Sequence, residues 1–257
     1  MNSDVVQHYA TDAEAVRLAR SPHGRLEFLR TQELLRRFLP ASTAVLDVGG
    51  GTGVHAEWLA RDGHAVHLID LVPEHVDAAA ELPGVTAQVG DALDLPVPDA
   101  GYDAVLLLGP LYHLTDHADR ARALAEARRV LRPGGVVAAA GISRYLSALE
   151  TGADGTLDVN LLPSVEAVIA TGRYDGHVGF TPTHWHTADE LRGEVHSAGF
   201  GDVEVYGVEG PTWAALDVAG VEEFPARVHA ALHCARLVER DPALVNASAH
   251  LLAIARA

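Results

Sequence analysis

A doubly wound α/β sheet of seven strands with helices on both faces is the architecture this sequence predicts, and three observations carry it. Short apolar runs alternate with stretches of helical periodicity from Thr43 onward, and a glycine-rich loop joins the first of those runs to its helix. The chain then closes on two strands flanking one helix rather than on another crossover. Its 257 residues, 48% hydrophobic, suffice for one sizeable domain with a small appended lid, and not for two independent enzymes.

Residues 12–38 place apolar groups at helical spacing (Val16, Leu18, Leu26, Leu29, Leu34, Leu35, Phe38), broken at Ser21–Gly24, so two helices precede the core. "TAVLDVG" reads as a short buried strand, "VHAEWLARDG" as a helix ending at Gly63, and "AVHLIDL" as a second strand ending on Asp70. "PEHVDAAAEL" is a helix with Pro73 in its first turn, and "VTAQVGDA" is the third strand. "YDAVLLLGP" is a continuous apolar strand, "DRARALAEARRVLRPGG" a helix closed by Pro133 and Gly134, and "VVAAAGIS" the fifth strand. The regular alternation stops at Ser143. An irregular stretch rich in Gly, Asp, Tyr and His follows, with one helical piece near "PSVEAVIATG", and an insertion at that point predicts a substrate lid over 143–186. Regularity resumes with "TADELRGEVHSAGF", where Thr187 and Glu190 have the spacing of a capping box. The strands "DVEVYGVEG" and "SAHLLAIARA" then flank a helix from about Pro225 to Arg240. The expected organisation is a single domain: N-terminal helices over 1–42 covering a cofactor site, a cofactor-binding core over 43–142, the lid, and a completion of the core over 187–257.

A net charge of −16 repels phosphate backbones and anionic lipid surfaces, so neither nucleic acid nor a membrane is an expected partner. The polar N-terminus lacks the apolar stretch of a signal peptide and no segment reaches membrane-spanning length, so a cytoplasmic monomer or homodimer is expected. Cys234, the single cysteine, lies on an amphipathic helical pattern as a small packed residue. All 19 basic residues are arginine. The absence of lysine excludes a Walker A lysine, a pyridoxal phosphate Schiff base and the lysine of many short-chain dehydrogenases.

The loop "LDVGGGTG", Leu46–Gly53, lets the backbone approach a ligand at a helix N-terminus. A dinucleotide fingerprint beginning at Gly49 requires glycine at 54, where this chain has Val54. Asp47, two residues before the loop, suits a cationic ligand better than a pyrophosphate. Together with the missing lysine, Val54 argues against the alternative of an NAD-dependent oxidoreductase. A second alternative is a module that binds cofactor without turnover.

"VLDVGGGTG", Val45–Gly53, resembles the first motif of the class I S-adenosylmethionine-dependent methyltransferases, and "RVLRPGG" at 129–135 is similar to another of their features. The resemblance implies a Rossmann-like sheet, mostly parallel with its last strand antiparallel, and S-adenosylmethionine as methyl donor, released as S-adenosylhomocysteine. It implies that Asp47, Gly49, Gly50, Gly51 and Gly53 surround the methionyl part of the cofactor and that Asp70 binds the ribose diol. A carboxylate can do so because its two oxygens accept two hydroxyl hydrogen bonds. The resemblance further places Asp91 and the Ala92 amide at the adenine amine, Leu71 against the ring, and the Leu108 carbonyl at the cofactor ammonium. Tyr9 is expected to cover the site, and Arg30 to pair with the methionine carboxylate.

For the acceptor side, His113 follows "LGPLY" at the mouth of the fourth strand, where open α/β sheets bind ligands, and is the expected proton acceptor. Tyr112 beside it forms an acceptor wall, and Tyr145, Arg173, Tyr174, His184 and Trp185 are further expected acceptor contacts in the lid. His184 and His186 share one side of an extended chain, but no third ligand is apparent nearby in sequence and no metal is expected. The chain has "LGPLY" where base-amine methylases have Asn/Asp-Pro-Pro-Tyr/Phe. The acceptor is therefore expected to be a small molecule, a secondary metabolite methylated at O, N or C.

Overall fold

The structure, a computed structural model, describes residues 18, 20–176 and 180–257. The described elements begin with α1 (Pro22–Phe38), and the core then runs β1 (Ala44–Val48), α2 (Val54–Arg61), β2 (Ala65–Asp70), α3 (Pro73–Ala80), β3 (Val85–Val89) and β4 (Tyr102–Leu107). A single-turn α4 (Pro110–His113), α5 (His117–Val130) and the long β5 (Leu131–Ile142) follow. The insertion holds α6 (Leu146–Asp154), α7 (Leu162–Thr171), β6 (Arg173–Tyr174) and β7 (Thr183–His184). The chain completes with α8 (Ala188–Ser197), β8 (Gly201–Gly207), α9 (Trp213–Ala219), α10 (Phe224–Val238) and β9 (His250–Arg256).

The seven-stranded sheet has the order β3-β2-β1-β4-β5-β9-β8. β1 pairs in parallel with both β2 and β4, and β9 runs antiparallel between β5 and β8. Strand residues alternate between the two faces, as their period of two requires. Leu46, Val48, Val105, Leu107, Val137 and Ala139 enter one buried cluster, while Val45, Leu68, Ala104, Leu106, Ala138 and Ala140 enter the other. Both faces are thus apolar and covered, which is why these strands read as continuous hydrophobic runs in sequence. The order reverses between β1 and β4, and it is there that the carboxyl ends of neighbouring strands diverge into a crevice.

Several local expectations hold. Ser21 is the N-cap of α1 and accepts from the Gly24 amide, with Pro22 in the first turn, so the break in the N-terminal pattern is a helix start. Thr187 and Glu190 form a capping box at α8. Others shift. The helix expected to run to Gly134 stops at Val130, because Leu131 already pairs with Tyr102 in the sheet. The insertion carries a second helix, α6, and α9 fills the stretch between β8 and α10. Trp213 anchors α9 in a small cluster with Leu26, Leu216 and Ala249.

Candidate functional site

A cavity of about 480 Å³ opens at the carboxyl ends of β1, β2 and β4 and extends across β5, β8 and β9. Its β1 side is the glycine loop. Gly49 and Gly51 hold left-handed φ of +67° and +57°. A Cβ on Gly49 would lie 2.7 Å from the Pro110 ring, whereas one on Gly51 would meet nothing within 4 Å among the described residues, which leaves room for a ligand against the Gly51 backbone. Asp70 ends β2 and fixes the loop: its carboxylate accepts from the Gly51 amide at 2.8 Å and the Val72 amide at 2.9 Å, with His75 Nδ1 at 3.3 Å. Asp91, past β3, accepts from the Leu93 amide at 2.9 Å and borders the same cavity beside Ala92.

Asp47 is a strongly perturbed group of the site. It is 2% exposed, and its Oδ2 has no hydrogen-bond partner among the described residues. Burial, and then the neighbouring Asp70 charge, push its carboxyl up to about 7. A buried acceptor with no donor of its own, lining a cavity next to an open glycine backbone, fits a cationic ligand. S-Adenosylmethionine, with its sulfonium and ammonium groups, is such a ligand.

Asp47, Gly49, Gly50, Gly51, Asp70, Leu71, Asp91, Ala92 and Leu108 all line the cavity, and so do Tyr112 and His113 from α4. The His113 ring lies 4.7 Å from that of Tyr112 and 5.6 Å from that of Phe180. Val54, the residue that breaks the dinucleotide pattern, also borders it.

Other expected contacts are elsewhere. Gly53 does not line the cavity; its φ of +90° starts α2, and a Cβ there would lie 2.5 Å from Leu82 Cδ1. Arg30 is fully buried and does not line the cavity: its Nε donates to the Val208 carbonyl at 3.1 Å and the guanidinium pairs with Glu239 at 2.6 Å and Glu33 at 2.9 Å. Its guanidinium is directed at internal carboxylates and a carbonyl rather than into the cavity. Glu27 and Thr31 of α1, with Leu18 ahead of it, are the residues that face the cavity. Tyr9 lies outside the described residues.

The lid contacts divide similarly. Tyr145 and Arg173 are exposed and do not line the cavity. Tyr174 and Trp185 are 2% exposed and stack on one another at 4.4 Å, packed with Val168, Ile142 and Tyr112. They support Tyr112 from behind. His184 is buried against Glu190 at 3.0 Å, and Arg144 pairs with the same carboxylate at 2.5 Å. Sequence spacing supplied no third partner for the His184–His186 pair, but the fold does. Glu194 of α8 comes within 3.4 Å of His186 Nε2 while Arg120 of α5 grips it with Nε and NH2. Burial pushes the Glu194 carboxyl up, yet hydrogen bonds from His186 and Arg120 outweigh it and hold it down at about 2. This network ties the end of the insertion to α5 and α8.

Sequence reasoning passed over one part of the cavity wall. Ala140 of β5, Val208 beyond β8, and His250 and Leu252 of β9 close the end opposite Asp70. A histidine opening an otherwise apolar strand, "HLLAIA", was the available signal for His250.

Residues 45–135 match the family model described as a methyltransferase domain. An uncharacterised methyltransferase of Mycobacterium tuberculosis is 41% identical over 105 residues, 40% of this chain and 42% of that protein. The 2-methyl-6-phytyl-1,4-hydroquinone methyltransferase of a Synechocystis strain is 41% identical over 107 residues, 40% of this chain and 33% of that protein. The matched stretch therefore spans less than half the length of these curated relatives. Among solved structures, a methyltransferase of Thermotoga maritima described as a possible histamine N-methyltransferase superposes with a TM-score of 0.62 at 18% identity, covering 98% of both chains. Residues 45–135 are thus similar to the methyltransferase domain family, and the sheet built around them has the Rossmann-like methyltransferase fold.

Proposed function

We propose that this protein transfers a methyl group from S-adenosylmethionine to an O, N or C atom of a small-molecule acceptor, a secondary metabolite. The observation that carries the reading is the juxtaposition, in one cavity, of a buried Asp47 Oδ2 without a hydrogen-bond partner among the described residues and the open Gly51 backbone with the carboxylates of Asp70 and Asp91. Asp70 presents a carboxylate pre-oriented by two amides for a ribose diol, Asp91 and Ala92 lie where the adenine amine would be read, and Leu71 offers an apolar face to the ring. Bound there, S-adenosylmethionine supplies an electrophilic methyl group on a sulfonium. The protein's contribution is then mainly orientation, since in-line displacement gains most from fixing the two reactants at attack distance.

The acceptor's side of the cavity is Tyr112, His113, Ala140, Val208, His250 and Leu252. Among the described lining residues there is no arginine, while Glu27, Asp116 and Asp119 add negative charge. That lining favours a neutral or cationic acceptor over a carboxylate or a phosphate. The Synechocystis relative is named for a hydroquinone acceptor, a neutral hydroxylated ring compatible with such a wall. Turnover with methyl-labelled S-adenosylmethionine across a panel of phenols, hydroquinones, amines and carboxylic acids tests the reading. Labelled product from the neutral or amine members is expected, whereas bound cofactor without transfer to any member would leave a binding module instead.

A further inference from the structure

The methyltransferase reading leaves open where the acceptor's proton goes, and the geometry points to His250, held by Glu209, as the group that takes it; this inference rests on that reading. His250 is the first residue of β9, pairing with Ile142 at the end of β5, and it lines the cavity. In the sheet order β9 lies two strands from β4 and three from β1. At about 4.8 Å per strand, that is roughly 10 Å from the Leu108 end and roughly 14 Å from Asp47. A cofactor held over β1, β2 and β4 thus has His250 beyond its reactive end, on the side where the acceptor enters.

The second observation is how the ring is held. His250 Nδ1 lies 2.6 Å from Glu209 Oε1. Glu209 is fully buried, and its other oxygen accepts from the Ser248 hydroxyl at 2.6 Å and from the His250 amide at 2.9 Å. The Ser248 oxygen in turn accepts from the Glu209 and Gly210 amides at 2.8 and 3.1 Å. Held by these fixed donors, the carboxylate keeps the proton of His250 on Nδ1 and leaves Nε2 as the accepting nitrogen. Glu27 of α1 faces the same ring, with Oε2 3.7 Å from Nδ1, and His23, ion-paired with Asp217 of α9, lies in the field of both glutamates. Together these carboxylates stabilise an imidazolium once it forms. His113, by contrast, is set by ring contacts with Tyr112 and Phe180 and serves as acceptor wall.

The step balances without a further reactant. The lone pair of the acceptor's O or N forms a bond to the methyl carbon as the carbon–sulfur bond breaks with its pair on sulfur. The acceptor's proton moves to His250 Nε2, and the imidazolium so formed is paired with Glu209 and later releases the proton to solvent. His250 touches the acceptor in this scheme; Glu209 is a positioning residue.

Two measurements test it. In the wild-type protein saturated with S-adenosylhomocysteine, nitrogen-15 correlation spectra of His250 are expected to show Nδ1 protonated and Nε2 bare, and Glu209→Gln is expected to change that signature without changing S-adenosylhomocysteine affinity. With the best acceptor of the panel, His250→Gln is expected to lower kcat at least ~100-fold while KM and cofactor affinity change less than about threefold, and His113→Gln to raise KM more than it lowers kcat. A ring protonated on Nε2, a kcat unchanged in His250→Gln, or turnover abolished by a chelator and restored by a divalent cation would overturn it; in the last case Nδ1 would be a metal ligand. Failure of the underlying reading is distinct, because the wild type itself would then bind neither cofactor form, or would bind both and methylate no member of the panel, whatever the protonation of His250.

Discussion

Replacing Asp47 by asparagine probes the buried carboxylate on which the cofactor assignment turns. Burial and the adjacent Asp70 charge raise this carboxyl to about 7, against roughly 3.9 in an unfolded chain. The folded protein therefore holds a proton that the unfolded chain gives up, so the unfolded state binds fewer protons between about pH 4 and about pH 7 and stability falls as pH rises through that window. Above the folded value the loss is complete and flat. Between about pH 5 and about pH 8 the mismatch covers about two units at about 1.4 kcal/mol each, so Asp47 withdraws about 2.7 kcal/mol of stability over that interval. The Asp47→Asn side chain has no such proton. Its amide, left without acceptors, costs about 1–3 kcal/mol, but equally at both pH values. Urea denaturation of both proteins at the two pH values isolates the effect: relative to wild type, the variant should gain about 2–3 kcal/mol on going from the lower to the higher pH. An unchanged difference would refute the reasoning, since it would mean that Asp47 ionises normally and does not await a cation. The same variant should lose the proton release that accompanies S-adenosylmethionine binding to wild type near neutral pH, read by calorimetry in buffers of differing ionisation enthalpy.

Further variants separate the cofactor site from its scaffold. Asp70→Asn removes the charge that the Gly51 and Val72 amides donate to, and at about 1.5–3 kcal/mol for such bonds the S-adenosylmethionine Kd should rise about 10- to 100-fold; an unchanged Kd would remove Asp70 from the ligand's reach. Arg30→Met removes a fully buried guanidinium that donates to the Val208 carbonyl, while Glu33 and Glu239 keep Arg37, so stability should fall by about 1–3 kcal/mol while the folded protein keeps its cofactor affinity. A stable variant with weak binding would return Arg30 to the cofactor. Trp185→Ala deletes a ring that is 2% exposed and stacked on Tyr174, and should cost about 3–5 kcal/mol in urea denaturation. If it altered KM alone, Trp185 would belong to the acceptor wall after all.

The strands and their order of burial were legible because parallel, doubly covered strands are apolar on both faces, and Leu46 and Val45 could both be read as core without knowing which face each joined. That Asp47, Asp70 and Asp91 border one cavity was foreshadowed for a related reason: Asp47 and Asp70 lie in the last two residues of their strands and Asp91 just past the third, and the resemblance drew attention to Asp70 and Asp91. The acceptor end was not. His250 is far beyond His113 in the chain, and Glu209 meets it only because β9 inserts between β5 and β8. Arg30 misled because the spacing of α1 does not say which face meets α10, where Glu239 waits at the helix end. Trp185 and His184 read as pocket residues because aromatic and imidazole groups in an irregular stretch suit a ligand as well as a small satellite core; Trp185 instead stacks on Tyr174 in such a core, and His184 is buried against Glu190. α6 and α9 were missed because short helices in Gly- and Asp-rich sequence are fixed by tertiary anchors such as Trp213 rather than by periodicity.

The most direct test of the account is calorimetric titration of the purified protein with S-adenosylmethionine, S-adenosylhomocysteine and NAD. Saturable binding of the first two at one site per chain, weakened by Asp70→Asn, with no heat from NAD, is the predicted result. Binding of NAD alone would contradict the assignment of this cavity.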